Sequence, residues 1–132
     1  MLAADQRLRQ TDAFRRTVKS GRRAGGRALV LHLRLDETRP AGPPRAGFVV
    51  NKAVGGAVVR NRVKRRLRHL VRSHLTELPP SADLVVRALP TAASLSSAEL
   101  GVELSRSLER VGADLRAARA ASSTGSVTGA QA

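Results

Sequence analysis

Cysteine, tryptophan and tyrosine are absent from the 132 residues, and two phenylalanines are the only aromatics. Without cysteine there is no disulfide scaffold, no thiolate metal site and no thiol nucleophile, and nothing points to an oxidising compartment. Two rings are too few for a stacking platform of the RRM kind. No apolar run approaches the roughly 18 residues of a membrane span, and residues 1–10 lack the apolar core of a signal peptide. No membrane association is expected, and the expected location is the cytoplasm. Acidic residues are scarce too, 10 against 24 Lys+Arg, with none between Glu37 and Glu77. Asp36 and Glu37, beside Arg39, read as solvated loop charges, and no two-metal protein site can be assembled from so few carboxylates.

What remains is a chain with a formal charge of +14 and 42% hydrophobic residues, enough to fold and cationic enough to require a polyanion. The charge is uneven. Residues 1–72 hold 19 basic and 4 acidic groups, net +15, whereas residues 73–132 hold 5 and 6, net −1. That footprint belongs to a nucleic-acid-binding surface backed by neutral scaffold. The length supports one domain. It is placed at residues 1–120, with the Ser-, Thr-, Gly- and Ala-rich residues 121–132 expected to form a disordered tail.

Along the chain, Thr11 can cap a short helix carrying Phe14 and Val18 on one face and ending at Gly21. Residues 28–35 alternate, with Leu29, Leu31, Leu33 and Leu35 on one face and Ala28, Val30, His32 and Arg34 on the other. Residues 36–44, with three prolines, form a loop. A second strand over 45–52 has Ala46, Phe48 and Val50 opposite Gly47, Val49 and Asn51. After Gly55 and Gly56 the period becomes helical, and Val59, Val63, Leu67, Leu70, Val71 and His74 share one face as far as Pro79. A strand over 83–89 follows. Ser96 and Glu99 then form a capping box for a last helix striped by Leu100, Leu104, Leu108, Val111 and Leu115. The order predicts an α+β fold, a two-layer α/β sandwich with a β-α-β unit at its centre. Helices at both ends are expected to cover one sheet face, with the other less protected.

On the central helix Arg60, Lys64, Arg68 and Arg72 repeat every four residues, and Asn61, Arg62, Arg65 and His69 fill the face opposite the apolar stripe. Like charges at that spacing destabilise a helix by a few tenths of a kcal/mol per pair. No local carboxylate offsets them, so the compensating anion must come from outside, as a phosphate backbone would. The alternatives are weaker. His69 and His74 lie on different faces of this helix and His32 is on a strand, so no imidazole pair for acid–base catalysis is formed. Gly55-Gly56 is explained by a tight turn as well as by phosphate binding, and no Walker lysine and serine follow. No helix pair or dimer pattern suits DNA.

The run Asn51-Lys52-Ala53-Val54-Gly55-Gly56-Ala57-Val58-Val59-Arg60-Asn61-Arg62-Val63-Lys64-Arg65-Arg66-Leu67-Arg68 resembles the signature of the bacterial ribonuclease P protein subunit. The similarity extends to Arg7-Leu8-Arg9 followed by Phe14 and to the final strand and helix, covering roughly residues 5–118. The resemblance implies a ribosomal protein S5 domain 2-like fold with a left-handed β-α-β crossover, against the common hand. It implies binding of a large catalytic RNA that removes the 5′ leader of precursor tRNA, with Mg2+ acting through that RNA and no catalytic residue in this chain. By residue match Lys52, Arg60, Asn61, Arg62, Lys64, Arg65 and Arg68 would face the catalytic RNA, and Phe14, Val18, His32, Val49 and Asn51 would line a leader cleft. His32 and Val18 stand where aromatics are frequent, and Ala53 where a second lysine is common. Stacking on a ring contributes about 1–3 kcal/mol per base, so the leader contact is expected to rest more on charge. The competing reading is a structural RNA-binding protein of ribosomal type.

Overall fold

The computed structural model describes residues 12–36 and 42–131, with residues 119 and 122–131 as backbone only. In chain order the elements are α1 (Asp12–Ser20), β1 (Arg22–Gly25), β2 (Leu29–Leu35), β3 (Arg45–Val49), α2 (Ala57–Arg72), β4 (Ala82–Ala88) and α3 (Ser97–Gln131). Short 3-10 turns at Leu75–Glu77 and Pro90–Ser94 complete them. The four strands form one mixed sheet in the order β1-β2-β4-β3. β2 runs antiparallel to β1 and β4, and β3 is parallel to β4. The parallel pair is joined through α2, so the central β-α-β unit and the α+β class are as the residue pattern predicts. Thr11 and residues 37–41 of the loop lie outside the described residues.

The main core lies on one sheet face. Leu29, Leu31 and Leu33 of β2 and Ala82, Leu84, Val86 and Ala88 of β4 meet Val63, Leu67 and Val71 of α2 and Leu100, Leu104, Leu108 and Val111 of α3. The alternate positions point the other way. There Val85 packs against Ala13 and Phe14 of α1, with Val18 and Val49 at the margin. This corrects the expectation that helices at both ends share one face: α1 lies opposite α2 and α3. The reason is visible in β2, whose second face carries Val30 and His32, both 6% exposed. Periodicity identifies a face that needs cover without saying which helix supplies it.

β1 is a further strand in a segment to which the sequence pattern assigns no element. Its four residues, Arg-Arg-Ala-Gly, bury Ala24 alone and are too short to show a period of two. Its hairpin to β2 is held from a distance, because Glu103 Oε2 on α3 accepts from the backbone N–H groups of Ala28 (2.8 Å) and Leu29 (2.6 Å). The predicted capping box forms: Glu99 N–H donates to Ser96 Oγ at 3.1 Å, and Ser96 N–H donates to Glu99 Oε1 at 2.9 Å. These bonds hold the Glu99 carboxyl below its usual range. β3 ends at Val49, earlier than expected. The backbone of α3 continues helically to Gln131, where the sequence reading expects a disordered tail. Among the described side chains its fully buried positions end at Val111, with Leu115 partly buried against the core.

On the α1 side of the sheet, Arg45 donates to both carboxylate oxygens of the buried Asp83, at 2.8 Å each. Asp36 adds longer pairs, 3.8 Å to Arg45 and 3.8 Å to Arg34. This network ties the edge strand β3 to β4, and the bond to Asp83 is the first cause of a raised Arg45 pKa.

Candidate nucleic-acid interface

The entry to α2 is built by local chemistry. Asn51 Oδ1 accepts from Ala53 N–H at 3.1 Å, and Val54 N–H donates to Asn51 O at 3.1 Å, an Asx-type turn. Buried Val54 anchors this turn and leaves Lys52 exposed. Gly55 then adopts φ +155, where a Cβ would stand 2.9 Å from the Val59 side chain. The N-cap of α2 is Gly56, which offers no capping side chain, and the first turn holds no acid. Both features suit a helix start that approaches a polyanion.

With Val63, Leu67 and Val71 fully buried, the orientation of α2 is settled. Asn61, Arg62, Arg65, Arg68, His69 and Arg72 are exposed, and Arg60 and Lys64 are half-buried. Among the described residues none of these cations pairs with a carboxylate. Arg60 Nε is buried without a partner. Arg66 is different: its Nη1 donates to Leu95 O at 3.1 Å, which binds α2 to the turn before α3. Val58 is 81% exposed on the face shared by Asn61, Arg62 and Arg65.

The residues matched to a leader cleft are partly gathered. Phe14, Val18 and Val49 pack around Val85 beneath α1, with Phe14 only 8% exposed. His32 is the cross-strand neighbour of Val85 on the same face. Asn51 follows β3 and is exposed, its amide oxygen used by the turn before α2. Burial first, then Arg87 and Arg23, lower the His32 pKa. These two arginines were not singled out by sequence reasoning. The available signal was parity, since Arg87 sits two residues from Val85 on the same face.

His74 pairs with no second imidazole. Its Nδ1 lies 3.2 Å from Glu77 Oε2 and its Nε2 3.3 Å from Ser105 Oγ, linking the end of α2 to α3. Among the described residues, no group of three His, Asp or Glu side chains is placed to hold a metal. Asp36 and Asp83, the two buried carboxylates among the described residues, are both engaged by Arg45. No helix among the described residues is long and apolar enough to cross a membrane.

A small α+β domain that exposes cations without carboxylate partners among the described residues along one helix, and holds that helix by its opposite face, has the kind of surface that suits a polyanion. The comparisons with known proteins narrow this class. The Ribonuclease P family pattern matches residues 2–112. The ribonuclease P protein component of a Nocardioides species is 56% identical over 115 residues, covering 87% of this chain and 98% of that relative. That of Corynebacterium diphtheriae is 44% identical, over 84% of this chain and 97% of the relative. Among solved structures, the RNase P protein of Thermotoga maritima superposes with a TM-score of 0.68 at 25% identity, covering 80% of this chain and 96% of the other. A Staphylococcus aureus RNase P protein mutant gives 0.71 at 25% identity, covering 79% and 86%. The chain belongs to the bacterial ribonuclease P protein family and is thus a subunit of a ribonuclease acting in tRNA processing.

Proposed function

We propose that this chain binds the catalytic RNA of ribonuclease P through the exposed face of α2 and the 5′ leader of precursor tRNA along the α1 side of the sheet. The RNA, with its Mg2+, performs the endonucleolytic cut. The chain contributes position and charge. The observation that carries this reading is the run of exposed or half-buried cations from Arg60 to Arg72 with no carboxylate partner among the described residues. A phosphate backbone would offset their repulsion and add the free energy of counterion release. Lys52 and Arg60 flank the open helix start, where backbone N–H groups favour an anion. Val18 and Val49, half-buried at the edge of the cluster around Phe14 and Val85, offer apolar contact to a leader strand, with His32 on the same face.

The test is reconstitution with the cognate catalytic RNA at low magnesium, where added protein should raise precursor-tRNA cleavage. An absence of stimulation overturns the reading. Recovery of ribosomal RNA, instead of one catalytic RNA species, on purification from cells would favour a structural role in the ribosome.

A further inference from the structure

Three side chains meet where the end of α2, the 3-10 turn after it and α3 come together. His74 Nδ1 lies 3.2 Å from Glu77 Oε2, and His74 Nε2 lies 3.3 Å from Ser105 Oγ. A carboxylate only accepts hydrogen bonds, so the hydrogen on that side belongs to Nδ1, and a neutral ring then turns the Nε2 lone pair toward the Ser105 hydroxyl. All three residues line a cavity of about 490 Å³, whose wall also holds Leu33, Leu78, Leu108 and Leu115. The cavity is open to solvent: Glu77 and Arg116, which line it, are exposed, and His74 and Ser105 are half-buried. Gly112 lines it too. Among the described residues a Cβ there would meet only Arg116 Nη1, at 3.5 Å, so the guanidinium reaches back over the glycine and the wall stays open at that point. Arg116 forms no ion pair among the described residues.

We propose that Ser105, His74 and Glu77 form an acyl-transfer site that hydrolyses small carboxylic esters with an apolar acyl group, an activity separate from the RNA-catalysed cut. A nucleophile within reach of a base, with the base oriented by a third group, is the arrangement such chemistry needs. Ser105 Oγ attacks the ester carbonyl carbon, and its proton passes to His74 Nε2. Glu77 is a positioning residue: it accepts from Nδ1–H, fixes the tautomer and stabilises the imidazolium that forms. The Arg116 guanidinium offsets the negative charge that develops on the carbonyl oxygen. When the tetrahedral intermediate collapses, the alcohol leaves with the proton from Nε2 and the acyl group stays on Oγ. Water then attacks the same carbon and gives its proton to Nε2. The carboxylic acid departs, and Oγ recovers its proton from Nε2. The four leucines select the acyl chain, because they offer apolar surface and no polar partner, and the volume is that of an ordinary small-molecule site.

The test incubates the full chain, without RNA, with p-nitrophenyl butyrate, follows nitrophenolate release and quenches samples in acid for peptide mass spectrometry. The parent should release nitrophenolate and carry a butyryl group on Ser105. Ser105→Ala removes one hydroxyl from a partly exposed helical position; it should abolish the adduct and lower the rate about 100-fold or more, as should His74→Gln. Glu77→Gln should lower kcat several-fold with KM unchanged, a split that loss of a merely structural link between α2 and α3 does not produce. Gly112→Leu, which improves helix propensity while filling the cavity, should raise KM or abolish turnover. Circular dichroism and urea midpoints check that each variant is folded. A parent rate no higher than that of Ser105→Ala overturns the proposal. So does an adduct confined to His74 or to a lysine, or turnover that Gly112→Leu leaves untouched.

Discussion

Replacing Arg62, Arg65 and Arg68 together by alanine separates binding from folding on the same helix. All three are exposed and none has a carboxylate partner among the described residues, so each is free to neutralise a phosphate. Each lost contact lowers the slope of log affinity against log salt by about 0.7 on a single strand or 0.9 on a duplex. Three contacts amount to a slope change of about 2–3. Between 50 and 200 mM salt the triple variant should therefore lose about 20- to 40-fold less affinity than the parent chain. Stability should move the other way or not at all. Alanine is the better helix former, and the change relieves the repulsion of Arg68 with Lys64 and Arg72 and of Arg62 with Arg66, a few tenths of a kcal/mol per pair. Arg66→Ala is the contrast: it breaks the bond to Leu95 O, so it should cost about 1 kcal/mol of stability and leave the salt slope nearly unchanged. The assays are RNA binding by anisotropy across a salt series and denaturant unfolding of the free protein. An unchanged slope in the triple variant, or a slope that falls equally in Arg66→Ala, would refute the assignment of the two faces.

Three further outcomes follow from the packing. Glu103→Ala leaves the Ala28 and Leu29 amides without their acceptor and should cost about 2–4 kcal/mol in urea unfolding, with Glu103→Gln costing less; equal and negligible effects would show that the carboxylate does not hold the hairpin. Gly55→Ala forces a Cβ against Val59 at a φ that side chains rarely adopt, so it should cost about 1–3 kcal/mol and weaken RNA binding by displacing the start of α2. Without RNA, stability should fall with acidification below the ordinary His32 value of 6.5, because its folded pKa is lowered and the unfolded chain then binds the proton more tightly. That loss should be absent in His32→Asn, and urea midpoints at pH 5.5 and 7 measure it.

The central helix was legible in the sequence because both of its faces are written in one period. Val63, Leu67 and Val71 repeat on the buried side, and the cations fill the rest. The capping box at Ser96 was equally local, needing only two residues three apart. Arg66 was different, for its helical position resembles that of the other arginines and only the approach of the turn before α3 gives it a carbonyl to bind. β1 escaped notice because four residues carry too little pattern, and its partner in register is known only once β2 is in place.

By itself the sequence determined a cationic half, a basic helix with a buried stripe, an α+β order of elements and a family signature beginning at Asn51. These are consequences of composition and of periods of two and 3.6, which act over a few residues. The tertiary structure alone decided that α1 covers the face opposite α2 and α3, and that Glu103 reaches the hairpin some 75 residues before it. It also placed Arg23, His32 and Arg87 side by side from three strands. Such placements depend on strand register and on which apolar face finds which cover, and these are settled by the packing of the whole domain.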